Sequence, residues 1–413
     1  MSRSTTYVIV GGGLAGAKAA EALRGNDFDG HIVLFAQEDH LPYERPPLSK
    51  EFMAGKKSLE EFTVHNAAWY RDHDVDLRLG TEVMTIERGK QAVTLPDGEA
   101  VSYDKLLLAT GSRSRHLKLP GSGADRVYYL RSIEDSDTIR SVLSDGASLA
   151  VVGAGWIGLE VAANARDRGA AVTVVETAKL PLLAALGPEI AQVFADLHRD
   201  HGVDLRLESG VAEITTADGR ATGLKLDDGT EVPADAVLVA VGAAPNIELA
   251  EQAGLQMADG GVAVDASLRT SDPNIFAVGD IAAADNPLLQ TRIRTEHWAN
   301  ALKQPPVAAA AMMGREAAYD ELPYFFTDQY DLGMEYVGHS VGYQRVVTRG
   351  DVAAREFTAF WLDGDNRLLA GMNVNIWEGL DDIKEIIRSR QVIDPDKLAD
   401  PDCPLAGVGA GSP

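Results

Sequence analysis

The chain of 413 residues contains a single cysteine, Cys403, close to its C-terminal end. One thiol excludes an intrachain disulfide, a CxxC redox pair and a cysteine-rich metal site, and no metal is expected. Long apolar runs are also missing. No stretch reaches the roughly 18 residues that a membrane helix needs, so no membrane association is expected. Positive charge is scarce, with 38 Lys and Arg against 62 Asp and Glu and a net charge of −24. A nucleic-acid partner needs clustered cations for its phosphates, so that class is set aside. The polar start, Met1 to Thr6, has no charged region, apolar core or cleavage site of a signal peptide, which points to a cytoplasmic location.

What is present is glycine in two ordered clusters. The first is Val8-Ile9-Val10-Gly11-Gly12-Gly13-Leu14-Ala15-Gly16. The second is Leu149-Ala150-Val151-Val152-Gly153-Ala154-Gly155-Trp156-Ile157-Gly158, its first glycine 142 positions later. Each follows a short apolar run and precedes a helical pattern. The pattern predicts strand Val8–Val10, helix Leu14–Leu23 and strand His31–Phe35. It repeats as strand Leu149–Val152, helix Ile157–Arg166 and strand Ala171–Val175. Such βαβ units favour a parallel sheet. An apolar strand ending in a small-residue turn follows each unit, at Leu106–Gly111 and Ala236–Gly242, and a third, Asn274–Asp280, leads back to the first domain. The echo reads as a duplicated nucleotide-binding domain, with two nucleotides bound side by side as a flavin meets a nicotinamide. From about Pro323 the texture changes to strand candidates Gln344–Thr348, Ala354–Trp361 and Leu368–Val374 and a helix Leu380–Arg388. The tail, Ala406–Pro413, is expected to fray.

The chemistry of each cluster follows from its spacing. In Gly11-x-Gly13-x-x-Gly16 the first glycine permits a tight turn and the second lets a pyrophosphate approach. The third lets the helix pack close, and the helix N-terminus presents free N–H groups. Leu14 and Ala15 lie in the same turn. Glu38, with Asp39 beside it, is the carboxylate candidate for ribose hydroxyls. In the second cluster Gly153, Gly155 and Gly158 repeat the arrangement, and Glu176 ends the next strand. A carboxylate there accepts from both ribose hydroxyls and repels a 2′-phosphate, which favours NADH. Glu160, in the first turn of the second helix, either complements the helix dipole or faces the nicotinamide. Lys50, in a stiff proline-rich loop, is its natural ion partner. Asp280 is placed to accept from sugar hydroxyls or to cap a helix.

Together these residues resemble the FAD-dependent pyridine nucleotide-disulfide oxidoreductase superfamily. Within it they are similar to the ferredoxin reductases of oxygenase systems (the putidaredoxin, rhodocoxin and biphenyl-dioxygenase reductase group) and to the related apoptosis-inducing-factor-like proteins. The markers are GGGLAG at Gly11–Gly16, LPYERPPLSK at Leu41–Lys50, ATGSR at Ala109–Arg113, GAGWIGLE at Gly153–Glu160 and FAVGD at Phe276–Asp280. EHWANA at Glu296–Ala301 and PYFFTDQYD at Pro323–Asp331 complete them. The implied fold is α/β, with two Rossmann-like nucleotide-binding domains of the glutathione-reductase type and a C-terminal α+β domain. The implied boundaries are residues 1–112 and 243–322 for the FAD-binding domain, 113–242 for the NAD(H)-binding domain and 323–413 for a C-terminal interface domain.

The resemblance also implies roles. Gly11, Gly13 and Gly16 would hold the FAD pyrophosphate, Glu38 the adenosine ribose and Asp280 the ribityl chain. Arg45 and Lys50 would lie along the FAD, with Val83 at the adenine. Ala109, Thr110, Gly111 and Arg131 would pass close to the cofactor, and Glu296, His297 and Trp298 would lie against the flavin. Gly155, Ile157, Glu160, Glu176 and Gly242 would line the NADH site, with Lys50 and Glu160 as the catalytic pair. Three departures stand out: Gly242-Ala243-Ala244-Pro245 replaces a common Gly-Ile-Gly, Gln304-Pro305-Pro306 replaces a common Gln-Gly, and Lys179 is the nearest cation after the ribose acid.

Disulfide reductases of this fold carry CxxxxC in the loop that here reads Pro42-Tyr43-Glu44-Arg45-Pro46-Pro47. Without a thiol relay, electrons must pass directly to an external acceptor. The expected activity is an NADH-dependent FAD oxidoreductase feeding an iron–sulfur ferredoxin of a cytochrome P450 or dioxygenase system. The alternatives are a reductase of small acceptors such as monodehydroascorbate or quinones, and an apoptosis-inducing-factor-like NADH-responsive binding protein. A monomer or a homodimer is expected. Arg292 and Arg294, or Arg388 and Arg390, are candidates for a basic docking patch.

Overall fold

The computed structural model describes residues 5–411. The start of the polar leader, Met1–Ser4, and the last two residues of the tail, Ser412 and Pro413, lie outside the described residues. The chain folds into two compact units. One comprises the chain up to Arg45, Ser58–Arg113 and Ala244–Pro323; the other comprises Pro46–Lys57, Ser114–Ala243 and the chain from Tyr324 onward.

The first unit is built on a five-stranded parallel sheet in the order Ile275–Ala277, Lys105–Leu108, Thr6–Val10, His31–Phe35, Val75–Arg78. Its strands are apolar at almost every position because both faces are covered: Val8, Ile9, Ile32, Leu34, Leu106, Leu107 and Phe276 are all fully buried. Helix Leu14–Gly25 packs through Ala15, Ala17, Ala19 and Ala20, whose small side chains allow a close approach. Helix Trp298–Met312 packs beside it and carries both Pro305 and Pro306 in its interior.

The second unit repeats the plan with a parallel sheet in the order Asp204–Arg206, Ala171–Val175, Ser148–Val152, Ala236–Val239, Val127–Tyr128. An antiparallel sheet follows in the order Tyr324–Gln329, Leu332–Gly338, Leu368–Val374, Glu356–Leu362, Arg345–Asp351. The two sheets share one core, in which Val151, Leu159 and Phe194 join Phe357, Trp361 and Met372. Helix Leu380–Ser389 closes one face through Ile383, Ile386 and Ile387, at the i, i+3, i+4 spacing of an amphipathic helix.

Two elements differ from expectation. Strands Tyr324–Gln329 and Leu332–Gly338 form a hairpin that the sequence does not announce, because its turn, Tyr330-Asp331, contains no Gly, Asn or Pro. Tyr330 itself takes the left-handed conformation, φ 57°, a rare state for a bulky residue. Its ring is stacked on His201 with centroids 3.7 Å apart. The tail is also more ordered than its Gly, Ser and Pro content predicts. Val408 is fully buried, and backbone bonds from Asp394 to the Val408 carbonyl and from Ala410 to the Val392 carbonyl pin residues up to 410. One apolar anchor outweighs the local composition.

Candidate functional site

In the first unit the three glycines of the first cluster do different work. Gly11 has φ +125°, and a Cβ there would collide with the Ala109 carbonyl. A Cβ on Gly16 would collide with the Gly11 carbonyl, so this glycine sets the close helix–strand approach. Gly13 faces open space, with nothing within 4 Å of a Cβ. It is the N-cap of helix Leu14–Gly25 and makes no side-chain capping bond, so the helix end stays available to an anion. The second unit repeats each feature. Gly153 has φ +101°, a Cβ there would meet the Ala240 carbonyl, one on Gly158 would meet the Gly153 carbonyl, and one on Gly155 would meet nothing within 4 Å. Ile157, the second residue of helix Trp156–Asp167, is 44% exposed.

Each cradle has its acid. Glu38 accepts from Tyr43 and from Arg45, both at 2.6 Å, while Asp39 is turned against Gly80. Burial works against the Arg45 charge, but Tyr43, Glu38 and Asp280 more than offset it, so the guanidinium is held above its ordinary range. Glu176 is held by the backbone N–H groups of Ala154 at 2.8 Å and Ala178 at 2.9 Å. The first of these lies inside the glycine cluster itself.

Asp280 sits in a 3-10 turn at Gly279–Ile281, whose first N–H donates to Gln304 Oε1 at 2.7 Å. Ala109 is buried beside Gly11, Thr110 donates to the Asn246 carbonyl at 2.6 Å, and the Gly111 carbonyl accepts from Asn246 at 2.8 Å. Val83 is buried in the same core. His297 is the N-cap of helix Trp298–Met312, Glu296 accepts from Arg294 at 2.6 Å, and Trp298 Nε1 donates to Glu44 at 2.9 Å. Arg131 belongs to the second unit, where its backbone N–H donates to Asp135 at 2.8 Å. Gly242, φ +99°, accepts from the Arg115 N–H at 2.9 Å.

The catalytic candidates meet in the second unit. Lys50 Nζ lies 2.8 Å from Glu160 Oε1, with only 9% and 4% of the two side chains exposed. The sequence domain plan put Lys50 in residues 1–112, but Pro46–Lys57 pack with the second unit. Two bonds explain this. Ser136 Oγ donates to the Leu48 carbonyl and Asn164 Nδ2 to the Ser49 carbonyl, each at 2.7 Å. The ammonium also lies 5.3 Å from the centroid of the Phe326 ring. Glu160 further accepts from Thr327 Oγ1 at 2.6 Å and from the Ser49 hydroxyl. Burial raises the Asp328 carboxyl; Lys50 opposes that rise, while Glu160 and Glu51 add to it.

Sequence reasoning missed Ser49, Thr327, Asn164, Asn246 and Gln304. Thr327 lies within a run already singled out, and strand alternation puts it and Gln329 on one face. The expected docking arginines Arg292 and Arg294 do not form a net basic patch. Arg292 is paired with Asp285 at 2.9 Å and Arg294 with Glu296 at 2.6 Å. Among the described residues no His, Cys, Asp and Glu cluster is arranged to hold a metal, and no helix is long and apolar enough to cross a membrane.

Two glycine turns, each opening onto an uncapped helix N-terminus and each followed by a carboxylate after the next strand, have the form of a two-nucleotide oxidoreductase. Sequence comparison agrees. The pyridine nucleotide-disulphide oxidoreductase family matches residues 5–305, and the reductase C-terminal family matches residues 324–408. The chain belongs to the pyridine nucleotide-disulphide oxidoreductase family, within its ferredoxin reductase group. It is 42% identical to the ferredoxin–NAD(+) reductase component of the anthranilate 1,2-dioxygenase system of Burkholderia cepacia, over 96% of this chain and 97% of that protein. It is 40% identical to rhodocoxin reductase of Rhodococcus erythropolis, over 97% and 93%. The fold superimposes on the reductase in the covalent putidaredoxin reductase–putidaredoxin complex with a TM-score of 0.94 and 38% identity, covering 99% of both chains. The cofactors of this family are FAD and NAD(H). The open faces of Gly13 and Gly155, the uncapped helix ends and the placed carboxylates Glu38 and Glu176 fit two dinucleotides.

Proposed function

We propose that the chain is an NADH-dependent FAD oxidoreductase that delivers electrons to an iron–sulfur ferredoxin of a dioxygenase or cytochrome P450 system in the cytoplasm. The observation that carries this reading is the missing thiol. The loop Pro42–Pro47 contains no cysteine, and Cys403, the one cysteine of the chain, lies more than 350 positions further along, close to the C-terminal end. Electrons therefore have no disulfide to rest on and leave for an outside acceptor. Relatives that match along nearly the whole chain are named as ferredoxin–NAD(+) reductase components of dioxygenase systems, which supports the choice of acceptor.

FAD, when bound, supplies the chemistry that converts the hydride of NADH into single electrons. The protein's own residues bind and orient. Gly11, Gly13 and Gly16 with the N-terminus of helix Leu14–Gly25 hold the FAD pyrophosphate, and Glu38 takes the ribose. Arg45, Val83, Ala109, Thr110, Gly111, Asp280, Glu296, His297 and Trp298 complete the FAD set. Gly153, Gly155, Ile157, Gly158 and Gly242 line the NADH site, where Glu176 accepts from the ribose hydroxyls and disfavours a 2′-phosphate. Lys50 and Glu160 position the nicotinamide.

The test is NADH-dependent reduction of cytochrome c with and without a purified [2Fe–2S] ferredoxin. Turnover that requires the ferredoxin supports the reading. Equally fast reduction of a quinone or of monodehydroascorbate without it would replace the proposed acceptor.

A further inference from the structure

Behind Glu160 the second unit buries a line of polar side chains to which the proposed hydride chemistry gives no role. Thr327 and Gln329 are each 1% exposed and His198 is fully buried. Thr327 Oγ1 lies 2.6 Å from Glu160 Oε1, Gln329 Nε2 lies 3.2 Å from Thr327 Oγ1, and His198 Nε2 lies 2.8 Å from Gln329 Oε1. Tyr330 OH stands 3.5 Å from His198 Nδ1. Thr327 and Gln329 are two apart on one strand, Tyr324–Gln329, and so share a face; His198 comes from helix Pro188–Asp200.

The direction of every bond in this line follows from its first member. A carboxylate paired with an ammonium accepts and cannot donate, so the Thr327 hydroxyl must donate to Glu160. That hydroxyl has one hydrogen, so toward Gln329 it can only accept, and Gln329 must present its NH₂. Its carbonyl then faces His198, whose Nε2 must carry the hydrogen and whose Nδ1 is left bare toward Tyr330. All the dipoles point their positive ends at Glu160. Burial, opposed only in part by the bond to Gln329 and assisted by His201, lowers His198 to about 4, so the ring is neutral near pH 7 as the line requires. The titratable and charged groups around the line are Lys50 and Asp328 at its inner end, and His201, Arg166 and Asp167 around Tyr330. Satisfied buried polar chains polarise one another, and their replacement by apolar groups of equal shape is often nearly neutral for stability. Stability alone therefore gives little reason to bury this line.

We propose that Thr327, Gln329 and His198 are positioning residues that hold the Glu160 carboxylate in one orientation through a one-directional hydrogen-bond chain. The proposal rests on the role assigned above to Glu160 in positioning NADH.

Two measurements on the FAD-loaded protein test it. The first reads the His198 tautomer by ¹⁵N NMR of histidine-labelled protein at pH 7. The Nε2–H form is expected; an Nδ1–H ring, bare at Nε2, cannot donate to Gln329, reverses the chain and overturns the proposal. The second is anaerobic stopped-flow reduction by NADH. Thr327→Ser keeps the hydroxyl and should retain the limiting rate. Thr327→Val keeps the shape and should slow it roughly 5- to 10-fold, the scale of one hydrogen bond, with little change in the half-saturating NADH concentration. A residue needed only for packing gives the opposite order, with valine benign and serine damaging, and that result overturns the proposal. Gln329→Met should fall with valine, and it carries the comparison if Thr327→Val does not fold. Glu160→Gln separates the two layers. If it reduces as fast as the parent, the role given to Glu160 fails. If it is slow while Thr327→Val and Gln329→Met stay fast, only the chain fails.

Discussion

Lys50→Met deletes the ammonium 2.8 Å from Glu160 and keeps most of the aliphatic stem. The carboxylate it leaves behind is 4% exposed. Breaking a buried ion pair from one side costs about 3–5 kcal/mol, because the remaining charge is uncompensated. Here the Ser49 and Thr327 hydroxyls stay on the carboxylate, so the low end, about 3 kcal/mol, is expected. Glu160→Gln strands the ammonium instead, with the Phe326 ring 5.3 Å away as partial compensation of about 0.5–1 kcal/mol. The double variant leaves no unpaired charge, so its cost should fall short of the sum of the singles by about 2 kcal/mol or more. Urea titration of the flavin-loaded protein, followed by circular dichroism, reads the cycle. With an m-value near 3 kcal/mol/M, each single variant should lose roughly 1 M in midpoint. Additivity within about 0.5 kcal/mol would show that the pair is not coupled and refute the reasoning. The same Lys50→Met protein tests the chemistry: anaerobic reduction by NADH at the parent rate would remove Lys50 from the catalytic role.

Three further outcomes follow from the same geometry. Glu176→Ala should lower kcat/KM for NADH and narrow its preference over NADPH by roughly tenfold or more, the worth of a charge-assisted hydrogen bond; an unchanged NADH/NADPH ratio contradicts the ribose role. Gly13→Val should fold, since nothing lies within 4 Å of its Cβ, yet purify without flavin absorbance. Gly11→Ala, whose Cβ meets the Ala109 carbonyl, should lose soluble yield. Equal flavin content in Gly13→Val and the parent removes that cradle. His198 is lowered to about 4 in the folded chain and titrates near 6.5 when unfolded. The unfolded chain thus binds the extra proton first on acidification. Stability from the neutral ring is complete above about 6.5 and is lost as the pH falls toward 4, by roughly 3 kcal/mol across the window. His198→Gln should flatten the melting temperature between those limits; an unchanged slope assigns the acid sensitivity elsewhere.

The legible parts of this protein are those whose physics is local. A strand, a glycine turn and a helix start are adjacent in the chain, so both glycine turns, their helix starts and the positions of Glu38 and Glu176 after the next strands could be read from spacing. Helices expected at Leu14–Leu23, Ile157–Arg166 and Leu380–Arg388 occur as Leu14–Gly25, Trp156–Asp167 and Leu380–Ser389, displaced only at their ends. The hairpin at Tyr324–Gly338 was illegible because Tyr330 holds a conformation normally left to Gly or Asn, and its ring is kept there by His201. The tail misled for the converse reason: its composition is that of a frayed end, but Val408 finds a core. Arg292 and Arg294 read as exposed charge until Asp285 and Glu296 appear beside them.

By itself the sequence determined the two glycine turns with their helix starts, the carboxylates that follow the next strands and, through the lack of cysteine near Tyr43, the need for an external electron acceptor. Each depends on residue type at a short, fixed spacing. Only the tertiary structure decided that Pro46–Lys57 pack with the second unit, that Lys50 and Glu160 are buried together, and that Ser49, Thr327, Gln329 and His198 converge behind them. The hydroxyl contacts of Glu160 alone, from Ser49 and Thr327, join residues 111 and 167 positions apart. No local propensity encodes such a distance; the shared burial of two sheets and a stapled loop does.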